Sequence, residues 1–473
     1  MTSKVLLHAF KWSMASEIAS KAIQPLVFIV LARLLTPEDF GVMSAALMVI
    51  GFSQIFWEAG MGKALIQRQT DVEGAANAAF WINICLGGVI AAILYLTADS
   101  VARTFFQDER VTAVLQVMTL QVFLGAVSAV HTALLQKEMG FKRLFWVRFA
   151  TVSLPGLAFI PLAWYGMGYW ALVVGTLVGQ AAQVIMLWWL SPWRPSWSFN
   201  TLVAKEMARF GAWVAFTGLM TWGYTWIDSM IVGMYFGIRE LGVFRTGNQF
   251  AMVAFTLFFS FATPVLYSRF SSSNLDRKRI GEELFLINRL IPVISFPLAM
   301  FLVIFSTEIE KYLLGETWTG TGVGYVVAMI AIKEAVLWIF AYNIEAYRAL
   351  GRPQLETFIA FLSVLANPAI LIYFASKGFD SFIFGRSVVL GLLGVFIHAG
   401  AMFYFFRDCA RVYLKIAGYF SLLLIGIMLG NLMKQNFDSL LFTTVRILLP
   451  ILLLFYLIYF EHASARKVRI HIL

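Results

Sequence analysis

The chain has 473 residues, 60% of them hydrophobic and only 13% charged, with a mean hydropathy of +0.79 and a net charge of +10. A soluble domain carries about 25% charged residues to cover its surface, so this composition excludes a water-covered globule, and no polar stretch is long enough for a separate catalytic domain. The positive balance reads as cytoplasmic-loop Lys and Arg rather than a nucleic-acid footprint, and the only cysteines, Cys85 in an apolar run and Cys409 in a polar loop, suggest no disulfide framework, zinc site or thiol nucleophile.

Apolar runs of about 20 residues, each sufficient for a hydrocarbon core of about 30 Å, recur from end to end. They predict fourteen transmembrane helices, at 11–33, 40–61, 78–98, 111–135, 145–165, 168–190, 210–235, 241–267, 284–305, 320–346, 355–375, 381–406, 416–433 and 440–460. Backbone groups in lipid are satisfied only in helices or closed barrels, and runs this long exclude barrel strands, so the chain reads as an all-α polytopic membrane protein. Span 1 carries Ser13, Glu17, Ser20, Lys21 and Gln24 within about 100° of one another, a polar stripe on an apolar helix. Glu17 and Lys21 inside this run, with no small-residue cleavage site after it, argue against a signal peptide. Trp188, Trp189, Trp193 and Trp197 read as an interfacial belt. Between spans 6 and 7 lies one of the two longest polar loops, 191–209, with amphipathic character in LVAKEMARFG; the other is 268–283. Span 7 repeats the polar stripe with Thr217, Thr221, Tyr224 and Asp228, and span 8 with Arg245, Gln249, Met252, Thr256 and Thr263. An ion at mid-membrane costs roughly 2.5–3.5 kcal/mol even on the most lenient scale, so such stripes face protein or a wet cavity.

Cations set the orientation. Alternate loops, from Lys4 through Lys63, Arg68, Lys137, Arg194 and Arg277 to Arg466, hold 22 Lys and Arg against 7 in the opposite set. By the positive-inside rule both termini are cytoplasmic, which agrees with an even number of spans.

Glu38-Asp39-Phe40-Gly41 aligns with Arg239-Glu240-Leu241-Gly242 at an offset of 201 residues. Six spans separate the copies, so the halves point the same way through the membrane. That predicts a parallel repeat of two six-helix lobes around a central cavity, 1–200 and 201–408, followed by two further helices and a cytoplasmic tail at 409–473. Duplicated bundles with a site between them are the usual build of secondary transporters. Locally, Thr36-Pro37-Glu38-Asp39 supplies a polar cap, a proline suited to a helix start and two acids that favour the positive helix N-terminus.

RLLTPEDFG (residues 33–41), GMGKALIQR (residues 60–68) and, in the second half, WIDSMIVGMYFG followed by ELGVF resemble the bacterial polysaccharide exporters. These are the O-antigen, colanic acid and teichuronic acid flippases of the multidrug/oligosaccharidyl-lipid/polysaccharide superfamily. The resemblance covers the chain and implies a MATE-like fold, an inner-membrane location and alternating access. It also implies a cargo, an oligosaccharide repeat unit on undecaprenyl diphosphate, carried from the cytoplasmic to the periplasmic leaflet. A polymerase and glycosyltransferases are the partners it implies, beside the membrane lipids.

Given that cargo, cavity cations would offset the desolvation of the diphosphate. The candidates are Lys21, Arg245, Arg289 and Lys333, while Gln24, Tyr224, Trp222 and Gln249 suit the glycan. Glu17 and Asp228 read as coupling-ion sites for H+ or Na+, or as internal partners of Lys21 and Arg245. Arg289 also reads as a helix-end cation that snorkels, and Lys333, Glu334 and Glu345 as an internal network. His131 and His398 read as packing residues. No cofactor or P-loop is expected, and no grouping suggests an enzyme. The competing readings are a drug or cation antiporter of the same superfamily, a peptidoglycan-precursor flippase and a membrane polysaccharide polymerase or ligase.

Overall fold

The computed structural model describes residues 23–58, 60–198, 201–259, 266, 270, 277–352, 354–405, 410–436 and 440–470. Glu17 and Lys21, with the rest of the stripe ahead of Gln24, lie outside them, as do Thr263 and part of loop 268–283. All regular structure among the described residues is helical, and eleven helices are long and apolar enough to cross a membrane. The protein is a multi-pass membrane protein.

The first part of the chain runs α1 (Ile23–Leu34), α2 (Pro37–Glu58), α3 (Met61–Gln67), α4 (Val72–Val101), α5 (Glu109–Lys137), α6 (Phe141–Trp164), α7 (Tyr169–Leu190), α8 (Thr201–Phe236) and α9 (Ile238–Phe259). Of the boundaries that differ from expectation, two share a cause, a short amphipathic stretch that finds an apolar partner; α4 also starts six residues early, and residues 277–283, expected as loop, are helical. Residues 62–67, expected as loop, form α3, set off from α2 by Gly60 at φ +67°, a left-handed conformation that favours glycine. LVAKEMARFG, also expected as loop, is the start of α8. Its Val203 and Met207 bury against Met61, Leu65, Ala76 and Phe80 of α3 and α4. The end of α3 is capped by Lys137, whose ammonium donates to the carbonyls of Leu65, Ile66 and Arg68, where a cation meets the negative helix terminus.

The tryptophan cluster divides. Trp189 and Trp197 are exposed, whereas Trp188 and Trp193 close edge-on over a fully buried His131 at 4.7 and 5.2 Å, the packing role expected of that histidine.

The repeated motif is a capped turn whose two copies touch. Asp39 accepts from the backbone N–H and the hydroxyl of Thr36, both at 2.9 Å, and the Thr36 hydroxyl accepts from Asp39 N at 3.3 Å, a reciprocal cap on α2. The other Asp39 oxygen accepts from Tyr169 N at 2.8 Å and so ties α2 to the start of α7. A Cβ at Gly41 would lie 1.9 Å from the Ile238 carbonyl oxygen, and one at Gly242 would lie 1.8 Å from that of Pro37. Shifting either contact by the repeat offset produces the other: Pro37 maps to Ile238, and Gly41 to Gly242. The first turns of α2 and α9 therefore meet backbone to backbone in a locally two-fold arrangement, fastened at 3.4 Å by Glu38 and Arg239, themselves equivalent positions.

The chain divides into two compact units, Met1–Arg245 and Thr246–Leu473. This partition is by compactness, whereas the lobes inferred from the repeat are by sequence correspondence. α8 belongs to the first unit because it packs on α2, α3 and α4. In the second unit, α10 (Arg277–Ile304) packs on α11 (Val323–Leu337) and on the last two helices, α12 (Ala410–Asn436) and α13 (Leu440–Ile470). Two carboxylates pin α12 and α13 down. Glu461 is paired with Arg289 at 2.6 Å and Lys415 at 3.0 Å and accepts from the Tyr419 hydroxyl. Glu308 is paired with Arg446 at 2.9 Å and Lys434 at 3.5 Å.

Candidate functional site

Within the first unit a cleft of about 390 Å³ opens between α2 and α8. Its α8 wall comes from residues spaced four apart, Thr217, Thr221 and Thr225, with Trp222 and Trp226 beside them. Four-residue spacing keeps these side chains on one face. The opposite wall is Gly51, Gln54, Ile55 and Glu58 of α2, and the end is closed by Gly60 and Lys63. GMGKALIQR thus has a local explanation. A Cβ at Gly60 would strike Val214 at 2.5 Å, and the break there lets α3 bring Lys63 to the cleft.

The hydroxyls are oriented by their own helix. Thr217, Thr221 and Thr225 each donate to the carbonyl four residues back, at 3.1, 3.0 and 2.8 Å. Their protons are consumed by the backbone, so what they retain is acceptor capacity. Gln54 donates to Glu58 at 3.2 Å and keeps its amide oxygen. Trp222 donates its N–H to the Met48 carbonyl at 3.0 Å, which fixes the indole, and Phe52 packs edge-on against that ring at 5.0 Å. The wall therefore presents ring surface and a ladder of hydrogen-bond acceptors. Charges in the lining are balanced: Glu58 and Lys63, one of each sign. Such a surface suits a ligand that donates many hydrogen bonds and has an apolar face, as a sugar ring does. An acceptor-only oxyanion fits the threonine ladder poorly.

Of the residues expected at the site, Trp222 lines the cleft, and so do Thr217 and Thr221 from the span 7 stripe. Tyr224, expected on the same stripe, is 58% exposed and is absent from the lining, since the cleft meets the side of α8 that runs from Thr217 through Thr225 to Trp222 and Trp226, and Tyr224 lies beyond the opposite edge of the stripe. Gln24 and Gln249 are exposed. Arg245 lies over the Trp226 ring at 4.1 Å, and its guanidinium reaches the Ser229 hydroxyl at 3.5 Å. Asp228 is buried and accepts from the backbone N–H of Ser229 at 2.7 Å. Arg245, Ser229 and Asp228 thus form one chain of contacts beside a cleft-lining indole. Arg289 sits in the Glu461 cluster. Lys333 is paired with Glu334 at 2.9 Å, while Glu345 pairs with Arg348 at 3.2 Å rather than with Lys333. No grouping of His, Cys, Asp and Glu among the described residues is built to hold a metal.

Sequence reasoning passed over Gln54, Glu58 and Lys63. The signal was present, Gln54 and Glu58 being polar residues four apart near the end of an apolar span. Lys63 was counted only as an orientation charge.

A family model described as "Polysaccharide biosynthesis protein" matches residues 30–322. The succinoglycan biosynthesis transport protein ExoT of Rhizobium meliloti is 22% identical over 378 residues, covering 80% of this chain and 76% of ExoT. The teichuronic acid biosynthesis protein TuaB of Bacillus subtilis is 23% identical, covering 67% of this chain and 66% of TuaB. The lipopolysaccharide biosynthesis protein WzxC of Escherichia coli is 21% identical over 80% of this chain and 74% of its own. Among solved structures, the lipid II flippase MurJ in an inward closed conformation superimposes with a TM-score of 0.77 at 14% identity, over 97% of this chain and 99% of MurJ. An inward-facing MATE multidrug transporter of the MOP superfamily follows at 0.66 and 15% identity, over 82% of this chain and 96% of its own. The fold is that of MurJ and the MATE transporters.

Proposed function

The chain belongs to the polysaccharide biosynthesis protein family, and from that premise we propose that it is a lipid-linked oligosaccharide flippase. It moves repeat units on undecaprenyl diphosphate from the cytoplasmic to the periplasmic leaflet of the bacterial inner membrane by alternating access. In this reading the chain crosses the membrane fourteen times with both termini cytoplasmic, as two six-helix lobes and a C-terminal pair. It acts between the glycosyltransferases that build the unit and the polymerase that consumes it.

The observation that carries the reading is the Thr217–Thr221–Thr225 ladder beside Trp222 and Trp226. It is a hydroxyl-accepting, ring-stacking wall between two helices of the first unit. Arg245, held over Trp226 at the edge of that wall, is the cation this reading assigns to the diphosphate. Asp228, next to Ser229, is its candidate for proton or sodium coupling; no other cofactor is required.

The test is deletion in a host without a paralogue. Lipid-linked units should accumulate in the cytoplasmic leaflet, and the intact gene should restore export. Normal surface polysaccharide in the deletion strain overturns the proposal. Dye extrusion by the purified protein would instead identify an antiporter, and glycan chain growth in purified membranes a polymerase.

A further inference from the structure

A second cavity, also of about 390 Å³, lies within the first unit on the other side of α2, enclosed by α2, α3, α5 and α7. It shares Gln54, Glu58 and Lys63 with the first cleft, so these three residues form a wall between two chambers. The far side is lined by four more glutamines, Gln121 and Gln136 from α5 and Gln180 and Gln183 from α7. Four glutamines along two apolar spans are expensive in lipid unless something takes up their hydrogen bonds.

Two groups in this lining are left unmatched. Trp57 is 5% exposed and its indole N–H has no hydrogen-bond partner among the described residues; the same holds for the side-chain oxygen of Gln121. The Trp57 ring is seated deliberately. A Cβ at Gly125 would lie 2.8 Å from it, so α5 gives way there to admit the indole. An unmatched buried donor or acceptor costs about 1–3 kcal/mol, and one of each on facing helices describes a ligand that both donates and accepts.

The remaining chemistry narrows the class. Ser128 and Thr132 spend their protons on their own helix, at 3.0 and 3.2 Å, and offer acceptors only. An anion would meet these and Glu58. A metal ion would meet Lys63 and amide N–H groups. An acyl chain would leave every glutamine unsatisfied. A neutral hydroxylated ring satisfies the amides, which each donate and accept, and can lay its C–H face on the apolar side of the chamber. The volume lies within the roughly 300–1,000 Å³ of small-ligand sites.

We propose that this glutamine-lined chamber is a second sugar-binding subsite, which holds a neutral pyranose of the carried glycan while another ring occupies the threonine–tryptophan cleft across the Gln54–Glu58–Lys63 wall. The proposal rests on the flippase reading. It makes the first unit a reader of glycan sequence as well as a binder of one sugar.

Occupancy is read by cysteine protection in the full chain, in membranes of the producing host. With Cys85→Ser and Cys409→Ser as background, Gln183→Cys and Gln136→Cys report the second chamber and Thr221→Cys reports the first, each reacted with N-ethylmaleimide. Membranes from cells that make lipid-linked units are compared with membranes from cells blocked in the first sugar-phosphate transfer onto the lipid carrier. The expected result is labelling slowed at least about threefold at all three positions when units are present, as for a ligand at about twice its Kd. Slowing at Thr221→Cys alone overturns the second subsite and leaves the flippase reading standing. Slowing nowhere overturns both. Failure of Gln183→Cys and Gln136→Cys to react in either membrane shows a sealed chamber and also overturns the proposal.

Discussion

Replacing Gly41 with alanine tests the reciprocal contact between the two copies of the repeated motif. The added Cβ would fall 1.9 Å from the Ile238 carbonyl oxygen, whereas carbon and carbonyl oxygen ordinarily approach to about 3.3 Å. The first turns of α2 and α9 must therefore separate by about 1.4 Å, because a helical carbonyl cannot swing aside as a side chain can. Overpacking of this kind costs typically 1–3 kcal/mol, and with backbone on both sides we place Gly41→Ala at about 3 kcal/mol. Gly242→Ala, with its Cβ 1.8 Å from the Pro37 oxygen, should match it. Gly88, in α4, has nothing within 4 Å of its added Cβ. Gly88→Ala should therefore stabilise by about 0.5–1 kcal/mol through helix propensity alone. Because one displacement relieves both clashes, the Gly41→Ala/Gly242→Ala double variant should lose less than the sum of the singles. The measurement is the folded fraction surviving heating in detergent, by size-exclusion chromatography at one heating rate, since unfolding of such proteins is commonly irreversible. A Gly41→Ala protein no less stable than Gly88→Ala, or strictly additive losses, would refute the reasoning.

Three further outcomes are expected. Thr221→Val keeps the volume of the side chain and removes one acceptor from the ladder; export should fall about threefold to tenfold, the worth of one net hydrogen bond, at unchanged abundance in the membrane. Glu461→Ala strands Arg289 and Lys415 where α12 and α13 join α10, and stability should drop by about 3 kcal/mol, read by the same heating assay. Burial raises the Asp108 carboxyl, but its hydrogen bonds and ion pair with Arg110 at 2.7 Å hold it, on balance, below its ordinary range. Its stabilising contribution is accordingly present above the unfolded carboxylate pKa and lost as pH falls through the folded one. Asp108→Asn should lower the melting temperature at pH 7, and the gap from the parent protein should close below about pH 4.

The sequence was most legible where a property is summed over many residues. An apolar run of about twenty residues is the length of a span; the described part of the expected spans is helical, and eleven of the helices are long and apolar enough to cross a membrane. The repeat was legible for a related reason: a backbone contact that only glycine allows must recur in both copies, and Gly41 and Gly242 recur at one offset. Thr217 and Thr221 could be placed on one polar face because helical period alone decides which residues share a face, whereas Trp222, 100° on from Thr221, was a candidate only through the cargo that the resemblance implies. Period does not decide which face meets what. In sequence Arg289 reads as a cavity cation or a snorkelling helix end, and Lys333 as a cavity cation or a member of an internal network; the packing pairs Lys333 with Glu334, as the second of those readings has it, and Arg289 with Glu461, which neither reading named. Tyr224 shares the sequence neighbourhood of Trp222 but not its azimuth against α2.

By itself, then, the amino-acid sequence determined the solvent, the long apolar helices and the repeated glycine motif, since each follows from local chemistry repeated along the chain. Only tertiary structure decided that Gln54, Glu58 and Lys63 stand between two chambers, and that α3 and the start of α8 are helix rather than loop. These depend on which surfaces, far apart in the chain, meet and exclude lipid, and no local period of the sequence encodes that meeting.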